Sequence, residues 1–185
     1  MRFLLAQLTM KNILMLLLLC GYVTTATAKS KQEINITADA TLERFKKEVV
    51  GGQQFLDQAA AVLVFPQVLK AGLGIGGEYG EGVLRQGGQN LAYYSTAAAS
   101  IGFQAGAQSK SVVVVFMTQD ALNHFRSKKG WKAGVDGSVA VIKWGVGEDI
   151  NTLDIKDPVV GFIFSNKGLM FNLTLEGSKF TEIKR

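Results

Sequence analysis

The stretch AVLVFPQVLKAGLGIGGEYGEGVL, from Ala61 to Leu84, decides the fold. It opens on an apolar run closed by Pro66, passes through Gly72, Gly74, Gly76, Gly77, Gly80 and Gly82, and turns apolar again. Residues 72–77, GLGIGG, have the spacing of a dinucleotide-binding loop. Such a loop holds pyrophosphate only between a strand and a helix start, where backbone N–H groups and the helix dipole face the phosphate. Here Gln67–Ala71 separates the strand candidate from the first glycine, and two further glycines make the segment after Gly77 a poor helix. The ribose-binding carboxylate expected about 20 residues on is missing from Ser95–Ser100. The glycines therefore read as backbone devices, placed where a curved sheet bends or another backbone comes close.

Outward from this stretch, short strands are expected. Ala61–Phe65 reads as a buried strand, and Gly72–Tyr79 and Gly82–Arg85 as the next two, with a turn at Gly80-Glu81. Arg85–Asn90 is a turn signal. Leu91–Ser95 and Ser100–Ala107 come next, and Ser109-Lys110 turns the chain into Ser111–Met117, the strongest strand in the sequence. Thr118 caps a helix from Gln119 to about Lys128, which Gly130 stops. Val135–Trp144 reads as a strand, and Glu148–Asp157 as a solvated acidic loop without calcium-loop spacing. Val159–Ser165 and Leu169–Leu175 read as a terminal hairpin. On the N-terminal side, Lys29–Thr37 reads as a flexible start. From Ala38 the pattern is helical, with Leu42, Phe45, Val49 and Leu56 at helical spacing, and Gly51-Gly52 breaks or kinks it before a second short helix. Packing on the domain core is the commoner fate of such a stripe, and an interfacial helix in a lipid headgroup layer is the functional alternative. The fold class is α+β: a strongly curved, mostly antiparallel sheet or partial barrel, with N-terminal helices and one helix near 119–128.

Residues 1–28 read as a signal peptide, with Arg2 and Lys11, an apolar run over Ile13–Leu19, and Ala26-Thr27-Ala28 as the cleavage site. Met10 offers an alternative start. Cys20 comes after the apolar run like a lipoprotein cysteine, but Leu19 before it is large, so cleavage after Ala28 is favoured and lipidation of Cys20 is the alternative. Removing the leader takes two of the 20 basic residues and none of the 15 acidic ones, which lowers the formal charge from +5 to +3. That suits an anionic lipid surface and is too weak to argue for nucleic acid. The 48% hydrophobic content marks a globular chain, expected as one domain over 38–185.

Composition limits the chemistry. Without Cys20 the chain has no thiol, and His124 is its one histidine. A Cys/His metal site is excluded, and no nucleophile–base pair assembles. His124 reads as a structural residue, and Glu78 and Glu81 as solvated carboxylates beside a turn rather than an acid–base pair. No enzyme activity, cofactor or metal is expected.

Three stretches together, VLVFPQVLKAGLGIGGEYGEGVL, YYSTAAASIGFQAGAQSKSVVVVFMTQDALNHF and GWKAGVDGSVAV, resemble the SYLF domain. That family occurs in bacterial exported proteins and in eukaryotic regulators of membranes and actin. The resemblance implies lipid binding through an amphipathic N-terminal helix and a basic surface. Carried over by position, the helix is Leu42–Leu56, with Leu42, Phe45 and Val49 entering the lipid boundary and Arg44, Lys46 and Lys47 meeting headgroups. Lys70, Lys128, Lys129 and Lys132 complete the expected basic set. The expected partner is an anionic phospholipid surface of the cell envelope or periplasm. The alternative is a structural module with a protein partner.

Overall fold

The computed structural model describes residues 28–143, 157–167 and 174–185. The leader with Cys20, the loop 148–156, Trp144 and most of the second arm of the expected terminal hairpin lie outside the described residues.

Helix α1 spans Lys31–Glu48. It starts earlier than expected, and residues 31–37 are its first two turns rather than a flexible lead. Ser30 and Glu33 explain this: the Ser30 hydroxyl accepts from the Glu33 N–H at 3.1 Å, and Glu33 sits where the positive end of the helix dipole favours it. Thr37 and Thr41 donate back to the Glu33 and Thr37 carbonyls, each at 2.7 Å, so this polar stretch stays helical with its hydroxyls satisfied. The inward face is Ile34, Ala38, Thr41 and Phe45. Gly51, at φ 75°, breaks the helix, and α2 spans Gly52–Gln58.

Two long strands dominate the rest. β1 runs over Ala61–Gln86 and β2 over Gln89–Phe116, and they pair antiparallel from Gln86↔Gln89 out to Ala61↔Phe116. The turn between them has Gly87 and Gly88 at φ 55° and 80°, the backbone of a tight hairpin whose twist matches its strands. The breaks expected at Pro66, Gly80-Glu81 and Ser109-Lys110 are not breaks. Pro66 is absorbed by a register shift between Phe65 and Val68, on a strand whose other edge has no partner among the described residues.

A straight strand of this length would span about 86 Å. The ribbon instead curls onto itself. A Cβ on Gly82 would lie 2.2 Å from the Val64 carbonyl oxygen, and one on Gly80 2.8 Å from that of Gln67. The late glycines thus sit where the returning half of β1 crosses its own first half. Gly82→Ala is expected to lower the unfolding free energy by about 1–3 kcal/mol through overpacking against backbone. At Gly77 the nearest atom to such a Cβ is the Ala98 oxygen at 3.7 Å, so Gly77→Ala should stay within about 0.5 kcal/mol. Urea denaturation of the two variants checks the contrast. Gly72–Gly77 lies within an antiparallel strand and opens no helix, which removes the dinucleotide reading.

Helix α3, Gln119–Ser127, is capped by Thr118 as expected. Then come β3 (Trp131–Lys132), β4 (Ala140–Lys143), β5 (Val159–Lys167) and β6 (Lys179–Ile183). The strand expected over Val135–Trp144 starts late because Gly134, at φ 79°, and the Asp136 N–H bonded to the Lys132 carbonyl turn the chain first. The sheet order is β3-β6-β2-β5-β4, with β1 on β2. All pairs between these strands are antiparallel except β4 with β5. The result is the expected α+β domain with a strongly curved sheet.

Both sheet faces are covered, which is why AVLVF and SVVVVF do not alternate with polar residues. Leu63, Phe65, Val112, Val114 and Phe116 face the inside of the curl with Phe125, Trp131 and Phe180. Val62, Val64, Val113 and Val115 face outward under α1 and α2, against Phe45, Phe55 and Phe162.

Candidate functional site

The apolar stripe of α1 is core. Phe45 is fully buried, its ring 4.9 Å from Phe162 and 5.6 Å from Phe164, and Val49 is buried beside it. Leu42 is half-buried against the same cluster. Entry of Phe45 and Val49 into lipid is therefore corrected: a helical period shows that a stripe meets an apolar phase, not which one. Arg44 is half-buried and donates to the Thr41 and Ser111 hydroxyls at 3.3 and 3.2 Å, lining a polar cleft of about 340 Å³. Lys46 is exposed and pairs with Glu43 at 2.8 Å, while Lys47 is simply exposed.

Lys70 also departs from expectation. It points into the curl of the ribbon, 3.7 Å from Glu78, and the same carboxylate takes Lys110 at 2.7 Å. The Lys70, Glu78 and Lys110 side chains are 10%, 9% and 2% exposed, so one buried carboxylate serves two buried ammonium groups. Glu78 and Glu81 do not flank a turn. They lie in a continuous strand, three residues apart and so on opposite faces. Glu81 is buried and holds Arg185, the Tyr79 hydroxyl at 2.8 Å and the Lys29 N–H at 3.3 Å. Partial burial, and next the bond to Glu81, raises the Tyr79 phenol above its ordinary pKa. Each carboxylate is engaged on its own face, so they form no acid–base couple.

The exposed cations gather elsewhere. Lys128 and Lys129 lie just past the end of α3 and Lys132 lies in β3, all exposed and without an ion pair among the described residues. Between them Gly130, at φ 90°, turns the chain, and a Cβ there would lie 2.5 Å from Cε of Lys179. The Lys179 stem thus lies over the turn and brings a fourth lysine to the group. The sheet register then sets one row across four strands: Tyr79 opposite Ala97, Ala97 opposite Lys179, Lys179 opposite Lys132. All four residues are exposed, and residues directly opposite share a face. Lys179 is not legible as a site residue in the sequence, because only the register places it beside Lys132.

His124 is exposed, its Nε2 donating to the Asp136 carbonyl at 2.8 Å. Among the described residues no three His, Cys, Asp or Glu side chains converge as metal ligands, and no helix is long and apolar enough to cross a membrane.

A curled β-hairpin backed by helices, with lysines collected at one corner, defines an α+β domain with a basic face. Residues 97–185 match the model of the SYLF family described as Ysc84, Las17-binding protein actin regulator, in agreement with the resemblance read from the sequence. It is a family of lipid-binding, actin-regulator-type domains and of binding rather than catalysis. No curated protein matches the chain.

Proposed function

We propose that the chain is an exported, non-enzymatic domain that contacts anionic phospholipid headgroups at the cell envelope. The observation that carries this reading is the group Lys128, Lys129, Lys132 and Lys179, exposed on adjoining elements without ion pairs among the described residues. Each lysine near an anionic surface contributes about 1 kcal/mol, so a few suffice for reversible attachment. Lys46 pairs with Glu43 and Lys70 is engaged inside, so neither adds to it. Export rests on the leader sequence, with cleavage after Ala28 or lipidation at Cys20, and mass analysis of the mature N-terminus separates the two.

Vesicle sedimentation tests the contact. The protein is expected to pellet with phosphatidylglycerol-rich vesicles and not with pure phosphatidylcholine. Changing Lys128, Lys129 and Lys132 together to Glu removes at least about 3 kcal/mol, more than about 100-fold in affinity. Equal pelleting with neutral and anionic vesicles, unmoved by salt, overturns the reading. The second reading, an envelope module with a protein partner, is favoured by the long edge of β1, which pairs with no strand but β2 among the described residues. Salt-insensitive binding with no lipid dependence would favour it.

A further inference from the structure

The middle of the β1–β2 ribbon is inverted with respect to water. Its charged groups, Lys70, Glu78 and Lys110, are turned inward, while Ile75 and Tyr79 on the opposite face are 76% and 52% exposed. Residues 71–77 and 97–107 contain no charged residue at all. Beyond Ala97 and before Ser109, β2 has no neighbour except β1 among the described residues. Exposed strand edges are ordinarily guarded by charge, proline or cover; residues 98–108 carry no charge and no proline, and among the described residues no strand but β1 pairs with them.

We propose that this stretch of the ribbon, with Ile75 and Tyr79 exposed on its outward face, is the element that enters the lipid interface. The inference rests on the lipid-contact reading above and names the part that goes in. The occupant is fixed by what adjoins the apolar stretch on the same face. Ile75, Gly77 and Tyr79 alternate along one face, and from Tyr79 the register row leads to Lys179 and Lys132. With strands about 4.8 Å apart, Lys132 lies about 14 Å from the ribbon strand that carries Tyr79. An aliphatic side chain, an aromatic ring with a polar hydroxyl, then two lysines with long apolar stems is the order in which a bilayer changes from acyl chain to headgroup to water. A protein groove offers no reason for anion-seeking groups beside its apolar contact, whereas an anionic membrane does.

The depth is bounded as well. Unpaired strand edges are not tolerated in hydrocarbon, so the ribbon stays at the boundary between headgroups and acyl chains, about 5–10 Å deep. Helix α1 stays out, since its apolar stripe is already buried.

The test uses phosphatidylglycerol-rich vesicles and the full chain. Ile75→Asp should weaken vesicle binding at least 10-fold with an unchanged circular dichroism spectrum, because Ile75 supports no core. Independently, an environment-sensitive fluorophore on Ile75→Cys, in a Cys20→Ser background, should shift to the blue with vesicles and be quenched by a shallow spin-labelled lipid. The same fluorophore on Ile36→Cys, exposed on α1, should not respond. If the unaltered protein ignores the vesicles, the lipid-contact reading itself fails. If it binds while Ile75→Asp binds equally and the label at 75 stays in water, the ribbon is overturned and the lipid reading stands. A response at 36 instead of 75 returns the contact to α1. A lipid-free dimer that Ile75→Asp converts to monomer assigns the ribbon to a second copy of the chain and overturns the proposal.

Discussion

Glu78→Ala should lower the unfolding free energy by about 3–5 kcal/mol, the cost of breaking a buried ion pair by removing one partner. Glu78 is the carboxylate shared by Lys110 at 2.7 Å and Lys70 at 3.7 Å, and without it two ammonium groups remain inside the curl with no other carboxylate paired to them among the described residues. Counting charges distinguishes this from a simple loss of contacts. Lys110→Met should be much milder, because Glu78 then keeps Lys70 as a one-to-one partner. Urea is the denaturant to use, since it does not screen charge as guanidinium does. Equal losses in the two variants would show that packing, not charge balance, holds this part of the ribbon together.

Phe45→Ala should cost about 3–5 kcal/mol, as for other buried aromatic truncations. Its ring meets Phe162 and Phe164, and Phe55 meets Phe162 from the second helix, so one deletion loosens both helices from the sheet. Leu42→Ala should cost less, because Leu42 is only half-buried. Thermal melts give the stability, and vesicle binding measured well below the transition gives the function. The expected result is a protein that melts early but binds vesicles as before. A stable Phe45→Ala protein that no longer binds lipid would mean that α1 leaves the sheet to reach the membrane.

Much of the architecture can be read from residues. The turn at 85–90, the strand around Val112–Val115 and the Thr118-capped helix stand out because each rests on local chemistry that the tertiary structure reinforces. The continuity of β1 and β2 does not. Pro66, Gly80-Glu81 and Ser109-Lys110 look like breaks, and each is overridden by something distant: a bulge, a crossing of β1 over itself, a carboxylate waiting for Lys110. The start of α1 is signalled by Ser30 and Glu33 but hidden by the polar run after them. Exposure of Lys128, Lys129 and Lys132 is legible from their place after a short helix. The burial of Lys70 is not, because it depends on Glu78 being brought across a bend.

The hairpin geometry also bears on how the chain reaches this state. Pairing grows outward from Gly87 and Gly88, and every new partner pair encloses a loop only about two residues longer than the last. Loop closure costs only about 0.6 kcal/mol per doubling of length, so contacts far apart in sequence are reached by zipping rather than by search. Hairpins close within about 1–10 μs. The slow event is then the coiling of the finished ribbon until Gly82 meets Val64, and the refolding rate should track the substitution at Gly82 more closely than any change in the turn.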